Sequence, residues 1–379
     1  MRVLHVFSDW KWTGPAEPAL NLALALKRRG HSVTFACSPL PFDAVDALEK
    51  RARERGLEPV TRFRLAKHFS WGANLKDARA LPGWMKAEQF DIVHCHRRQD
   101  HWVAGRAARK CRIPVVRTLH DGTPLGKGLR DRWLMAGATD ALLYASERAR
   151  AADQDRHGWK KGFAVHIPPA LDLSRLDPAK TGNLRAELGI PRDALVVGIA
   201  ARVQAKRRFD LLLQSFKRAL RAAPELRLLL IGRGTRLEQV AKAPARKLGI
   251  ADRVVFAGYR REDYAAALNT MDVKVFLVPG SDGSCRALRE AMALGKPAVV
   301  SPRGMLPELV ADGTDGIVVP ESGMALAEAM IRLATDAEIR KRMGRAARAK
   351  ALREWDLEVQ AERVEAVYRR LGASAASRA

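Results

Sequence analysis

The chain has 379 residues, 67 basic against 42 acidic side chains for a net charge of +25, and four cysteines. That length predicts two medium domains, each able to bury its own core, and 47% hydrophobic with 29% charged residues is a globular composition, not a disordered one. No apolar run reaches the roughly 18 residues of a membrane span, and the start MRVLHVFSDW lacks the pattern of a secretory signal. Cys37, Cys95, Cys111 and Cys285 show neither disulfide-scaffold nor zinc-ligand spacing. The expected location is therefore cytoplasmic, with reduced thiols. A pI near 10.6 points to a polyanionic partner, and charge alone leaves nucleic acid, an anionic membrane face and phosphate-bearing substrates open.

Short β-branched and leucine runs alternate with amphipathic stretches, the pattern of βαβ units and parallel sheets. Arg2 to Phe7 reads as a strand, Ser8 to Pro15 as a loop carrying Gly14, Ala19 to Arg29 as a helix ended by Gly30, and Ser32 to Ala36 as the second strand. Ile92 to His94, Val115 to Leu119 and Ala141 to Tyr144 continue this array. Ile167 to Pro178, with three prolines, reads as an interdomain linker. A second array follows, with strands at Leu195 to Ala200, Leu226 to Ile231, Val254 to Phe256, Val273 to Leu277 and Pro297 to Ser301, and a helix at Asp210 to Ala222. Met324 to Arg370 reads as helices, and the last nine residues as a frayed tail. No repeat of solenoid period is present.

The most informative stretch, Pro279 to Val300, reads PGSDGSCRALREAMALGKPAVV. A strand end leads into a loop with Gly280 and Gly283, then a helix from about Cys285 to Leu294, so the first amides of that helix form a phosphate site. Asp282 and Glu290 could accept bonds from a vicinal diol; alternatively they complement the helix dipole and sit in solvent. Arg202 and Lys206 follow the strand Leu195 to Ala200, at the edge where open α/β sheets bind ligands, and could neutralise a diphosphate. Arg207 and Arg208 read as solvated. Gly232 and Gly234 follow the next strand, where they mark either close approach of a ligand or a tight bend.

In this order the motifs resemble the nucleotide-sugar half of retaining GT-B glycosyltransferases of family four (glycosyl transferases group 1), and the resemblance spans nearly the whole chain. The family loop EGFGxxxxEAMAxGxPVV is matched from Asp282 onward. EAMALGKP is intact, the first glutamate is replaced by Asp282, and Phe-Gly by Ser284-Cys285. In the first array, Gly14 is kept from a family Gly-Gly loop, Asp91 to His96 resembles the strand DxVHxH, and Pro114 to His120 resembles PVVxTxH.

The resemblance implies an α/β GT-B fold, with two Rossmann-like doubly wound domains facing across a cleft. Residues 1–170 would form the acceptor-binding domain, 171–355 the nucleotide-sugar-binding domain, and 356–379 a helix returning to the first domain plus the tail. It implies catalytic roles for His120, Asp282, Arg202 and Lys206, with His120 and Asp282 against the donor sugar and the two cations on the diphosphate. Glu290 would bind the ribose hydroxyls. The amides around Gly283, Ser284 and Cys285 would hold the diphosphate, Tyr259 and Arg260 would meet the base through the main chain, and Gly14 and Gly232 complete the donor set. His94 and His96 are expected as one buried residue and one cleft wall.

The implied reaction transfers a sugar from a nucleotide diphosphate to a hydroxyl with retention, with the nucleotide sugar as co-substrate and no cofactor or metal. Asp153-Gln154-Asp155 is formally a metal-binding DxD, but it lies in a helical, charged stretch and reads as chance. Cys285, at a helix start beside Arg286, is expected to react with alkylating agents. An epimerase or phosphorylase would share the donor site. An NAD-dependent oxidoreductase lacks its GxGxxG, and a nucleic-acid-binding protein lacks any recognised motif, so no nucleic acid partner is expected. The acceptor is expected to be a glycan or glycolipid of lipopolysaccharide type. The basic segments Arg51 to Lys67 and Arg97 to Arg117, with Phe63, Trp71, Trp84 and Trp102, favour an anionic membrane surface and a peripheral place on its inner face.

Overall fold

The computed structural model describes residues 1–41, 47–126, 128, 133–135, 137–279 and 284–376. Contacts divide the chain into two compact units, Met1–Ala170 with Leu357–Ala379, and Leu171–Asp356.

The first unit is built on six parallel strands: β1 (Arg2–Phe7), β2 (Ser32–Cys37), β3 (Ile92–Cys95), β4 (Val115–Leu119), β5 (Ala141–Tyr144) and β6 (Ala164–His166), in the order β2-β1-β3-β4-β5-β6. Both faces are covered, so the inner strands are apolar throughout rather than alternating, and β3 is buried at all four positions. One face is closed by the helix Ala16–Arg28 together with the last helix, Leu357–Ala376, whose Ala361, Val364, Val367 and Tyr368 pack with Leu22, Leu26, Val3 and Val116. Ion pairs Arg28–Glu358 and Arg29–Glu365, both 2.8 Å, reinforce that seam. The expected nine-residue tail is mostly helical: Leu371 still packs on this core, which extends the helix to Ala376.

The second unit repeats the plan with β7 (Val196–Ala200), β8 (Arg227–Ile231), β9 (Val254–Gly258), β10 (Val273–Phe276), β11 (Ala298–Val300) and β12 (Gly316–Val318), in the order β12-β11-β10-β7-β8-β9. The sequence offers no reading of β12, because three residues including a glycine carry no measurable period. Two clusters fill its faces: Phe209, Leu212 and Phe216 of the helix Phe209–Ala219 on one side, and Leu288, Met292 and Trp355 on the other.

In each sheet the strand order reverses once, between β1 and β3 in the first and between β7 and β10 in the second. These reversals open a crevice at the carboxyl ends of the strands. Loops leaving β1 and β3 line the first crevice, and loops leaving β7 and β10 line the second.

Candidate functional site

In the second unit, glycine makes the crevice rim possible. A Cβ at Gly232 (φ 141°) would collide with the Ala201 carbonyl oxygen, and one at Gly234 with that of Val203. The Val203 amide donates to the Arg233 carbonyl at 3.1 Å, so the loops after β7 and β8 interlock backbone to backbone. At both glycines the group in close approach is the backbone of the neighbouring loop, a packing role that neither the ligand reading nor the tight-bend reading named. Arg202 and Lys206 stand exposed on this rim, and among the described residues neither has an acidic or hydrogen-bonding partner. Arg207 and Arg208 are not the solvated side chains expected. Arg207 donates to the Val278 carbonyl at 2.6 Å, and Arg208 pairs with Glu321 at 2.8 Å and Asp210 at 3.4 Å.

Across the switch point, Asp282 and Gly283 lie outside the described residues. Ser284 and Cys285 are buried, and Cys285 takes a left-handed backbone (φ 51°) as the residue before the helix Arg286–Ala293. That is the position where the family motif carries glycine, which meets this backbone without strain. The Cys285 side chain belongs to the core with Leu288 and Trp355, so the expected reactivity with alkylating agents is corrected by burial. Arg289 is wholly buried, donates from Nε to the Ser284 carbonyl at 2.8 Å and lies over the Trp355 ring at 5.7 Å, tying the loop to its helix.

Glu290 pairs with Arg286 at 3.2 Å on the same helix. It also stabilises the charge of Lys274, a fully buried β10 lysine whose Nζ has no hydrogen-bond partner among the described residues; burial nonetheless pulls that amine down to about 7. Tyr259 is exposed, with the Arg233 guanidinium 4.4 Å from its ring centre. Arg260 is committed to the fold by the Ala257 carbonyl (2.8 Å), Asp263 (2.7 Å) and Glu187 (2.7 Å), which leaves only its main chain for a ligand.

In the first unit, Gly14 lies in the turn before the helix Ala16–Arg28, and His120 directly follows β4. His94 and His96 are both buried, which corrects the expectation of a cleft wall at one of them. They belong to a cluster with His5 from β1: His5 Nδ1 to His96 Nε2 is 2.9 Å, and His96 Nδ1 to His120 Nε2 is 3.1 Å. His94 is held by the Tyr368 hydroxyl at 2.5 Å and Thr118 Oγ1 at 2.7 Å. Burial pushes His5 down to about 3 and His94 and His96 well below the ordinary imidazole value, so all three are neutral near pH 7. His120 also lines a cavity of about 20 Å³ with Thr118, Leu143 and Gln360, room for roughly one water.

His5, His94 and His96 bring ligand atoms within 4.8 Å of one another, but the set does not fit a metal. Both nitrogens of His94 are engaged, and its ring stacks on His96 at 4.4 Å and 21°, presenting faces instead of lone pairs. Asp153 of the DxD is likewise an internal group. It is buried and accepts from the Tyr144 hydroxyl at 2.9 Å and the Leu125 amide at 2.7 Å, which supports the reading of that motif as chance. Sequence reasoning missed His5, Lys274 and Arg289. The signal in RVLHVF and VKVF was a titratable residue inside an otherwise apolar strand.

The family model described as glycosyl transferases group 1 matches residues 180–350, and that for Glycosyltransferase Family 4 matches residues 13–175. The D-inositol 3-phosphate glycosyltransferase of Xylanimonas cellulosilytica is 30% identical over 323 residues, covering 76% of this chain and 73% of that protein. The chain belongs to glycosyltransferase family four. Relatives of the same description from Streptomyces bingchenggensis and Kribbella flavida are matched over 61% and 66% of their own length, so the chain spans less than two thirds of them.

Three solved structures share the fold of this family four chain. A glycosyltransferase from Rickettsia africae has a TM-score of 0.83 at 15% identity, covering 97% of this chain and 98% of that one. HepE of Anabaena, in complex with UDP, has a TM-score of 0.77 at 20% identity, covering 96% and 98%. The lipopolysaccharide outer core galactosyltransferase WaaB has a TM-score of 0.73 at 16% identity, covering 97% and 99%. The α/β fold is that of GT-B glycosyltransferases.

Proposed function

We propose that this family four chain is a metal-independent glycosyltransferase that moves a sugar from a nucleotide diphosphate to a hydroxyl acceptor with retention. The observation that carries this reading is the pair Arg202 and Lys206, exposed on the β7 side of the second switch point and without acidic partners among the described residues. On its β10 side lie Ser284 and the helix that carries Glu290. Departure of the diphosphate builds charge on the β-phosphate, which two cations and the first helix amides would take up without a metal. Glu290 would accept from the ribose hydroxyls with Arg286 orienting its carboxylate, and Asp282 would contact the donor sugar. The amides at Gly283, Ser284 and Cys285 would hold the diphosphate, Gly14 and Gly232 would allow close approach, and the main chain at Tyr259 and Arg260 would meet the base. With Asp282 and Glu290 assigned to hydroxyl recognition and not to covalent attack, the reading has the acceptor enter from the face the diphosphate leaves.

The acceptor in this reading is a glycan or glycolipid bound by the first unit at an anionic surface. Trp71 is 82% exposed and meets Phe69 edge to face at 5.0 Å, with Leu75 one turn along the same helix. Phe63, by contrast, is buried, and Trp84 and Trp102 are half-buried, so three of the four aromatics expected at the surface serve packing. An open groove of about 710 Å³ between Arg62, Arg64, Lys76 and Trp84 lies nearby in sequence and carries positive charge. No helix among the described residues is long and apolar enough to cross a membrane.

The test is a panel of nucleotide sugars with lipid and soluble acceptors, read by released nucleotide in the presence and absence of a chelator. UDP sugars come first, since HepE was solved with UDP. Turnover that survives chelation supports the reading; no nucleotide release with any donor would overturn it, and release without acceptor would point to an epimerase or phosphorylase.

A further inference from the structure

The histidines of the first unit form a continuous hydrogen-bonded line that ends on His120. His5 on β1 pairs in register with His94 on β3, and His94 with Val116 on β4. The same face of the sheet therefore carries His5, His94, His96, Thr118 and His120 at the carboxyl ends of three adjacent strands. His5 and His96 stack at 5.2 Å and His96 and His120 at 5.3 Å, with ring planes 15° and 29° apart. His94 takes no part in the line. Its nitrogens are used by Tyr368 and Thr118, and its ring, 4.4 Å from His96, fixes the height at which His96 sits.

Each buried imidazole is neutral and carries a single N–H, so two hydrogen bonds in series must run in one direction. If the line starts at His5, its Nδ1–H donates to His96 Nε2, and His96 Nδ1–H donates to His120 Nε2. If it starts at His120, both bonds reverse and the His5 proton moves to Nε2. His5 Nε2 is fully buried and has no hydrogen-bond partner among the described residues. The reversed line thus strands an N–H in the core, whereas the forward line leaves only a lone pair there, and stranded buried donors are the rarer of the two defects.

We propose that His5 and His96 are positioning residues that lock His120 in the tautomer protonated on Nδ1, with Nε2 committed as an acceptor to His96. The consequence for chemistry rests on the contact with the donor sugar that the family resemblance implies for His120. It meets the donor sugar as a hydrogen-bond donor through Nδ1–H, and its Nε2 is not available as a base.

Long-range proton–nitrogen correlation spectra of the full chain labelled at histidine nitrogens read the tautomer directly, with the His120 signals identified by their loss in His120→Ala. The wild type should show a protonated Nδ1 and a bare Nε2 at His120. His96→Phe, which cannot donate, should release His120 into a tautomer mixture and lower kcat severalfold, by no more than the roughly tenfold loss of His120→Ala, with the donor KM little changed. His96→Gln, which can both accept from His5 and donate to His120, should restore both the signature and kcat. Should His96→Phe fail to fold, His5→Phe tests the first link, since His96 loses its donor and His120 should again become mixed. A protonated Nε2 at His120 in the wild type, or an unchanged tautomer in the folded phenylalanine variant, would overturn the proposal. If His120→Ala turns over donor normally while the wild-type signature is present, the line stands and the role of His120 at the sugar falls.

Discussion

The two sheets share one topology, yet their carboxyl edges handle polar groups in opposite ways. At the first edge, His5 and His96 are buried, neutral and bonded to one another, with His5 held down to about 3 by desolvation. At the second, the structural work is done by other groups. Gly232 and Gly234 let two loops interlock through their backbones, and Arg207, Arg208, Arg260 and Arg289 are spent on carbonyls and carboxylates. Arg202 and Lys206 are left exposed, with no acidic partner among the described residues. A line of neutral, desolvated imidazoles can recognise hydroxyls by direction but does not attract an anion, while exposed cations do the reverse. On the proposed reading, the first of these would meet sugar and the second phosphate.

The sharpest way to break that contrast is to truncate each edge. Arg202→Ala and Lys206→Ala should each lower kcat/KM for the donor by about 10² to 10³, the usual cost of losing one group that stabilises a developing oxyanion. Both lie on the surface without partners among the described residues, so unfolding free energies should move by no more than about 0.5 kcal/mol. Glu290→Ala should match them in activity. His120→Ala should cost about tenfold, the loss of one hydrogen bond to a neutral hydroxyl if His120 meets the donor sugar as the resemblance implies. Equal losses at both edges, or losses at the cations explained by unfolding in thermal melts, would erase the distinction.

Lys274 sharpens the comparison because it places a charge-bearing group inside the second unit. A lysine ordinarily holds its proton to about 10.5, and here burial lowers that to about 7 while Glu290 opposes the change. Between those values the unfolded chain binds a proton that the folded chain does not, so stability rises with pH across that window. Below pH 7 the cost of burying the charge is fully present. Lys274→Met keeps the volume without the amine and should be more stable than the wild type near pH 6 to 7, with the gap closing toward pH 10.5. Parallel melting curves for the two proteins over that range would show instead that the amine finds compensation in the fold.

Much of the fold was legible because parallel strands buried on both faces are written as short apolar runs. Arg2–Phe7, Val115–Leu119 and Ala141–Tyr144 fall where those runs predict. β12 was not legible, being held in place by pairing with β11 and not by its own three residues. At the site, the order of motifs was readable while the sharing of duties among neighbours was not. Nothing local separates Lys206, exposed, from Arg207, bound to the Val278 carbonyl, because the difference lies in which partner arrives from β10. The glycine rim was readable only as ligand approach or a tight bend, because the backbone that lies against it is 31 residues away in the chain for both Gly232 with Ala201 and Gly234 with Val203.

Cys285 carries the smallest prediction and the clearest case of position failing to fix chemistry. Its place before a helix start, beside an arginine, argues for a reactive thiolate, yet its side chain is part of the core and its left-handed backbone turns it inward from the loop that leads to it. Cys37 and Cys95 are buried as well, and burial pushes Cys37 up to about 12 and Cys95 well above the ordinary thiol value. Cys111 is half-buried, with its sulfur 3.4 Å from the Pro82 carbonyl. Brief treatment of the native protein with iodoacetamide, followed by peptide mass analysis, should therefore modify Cys111 and leave Cys285 untouched whether or not nucleotide is present. Rapid labelling of Cys285 that nucleotide suppresses would mean that the loop before it opens in solution, and the second edge would then owe its phosphate site to motion as well as to uncompensated charge.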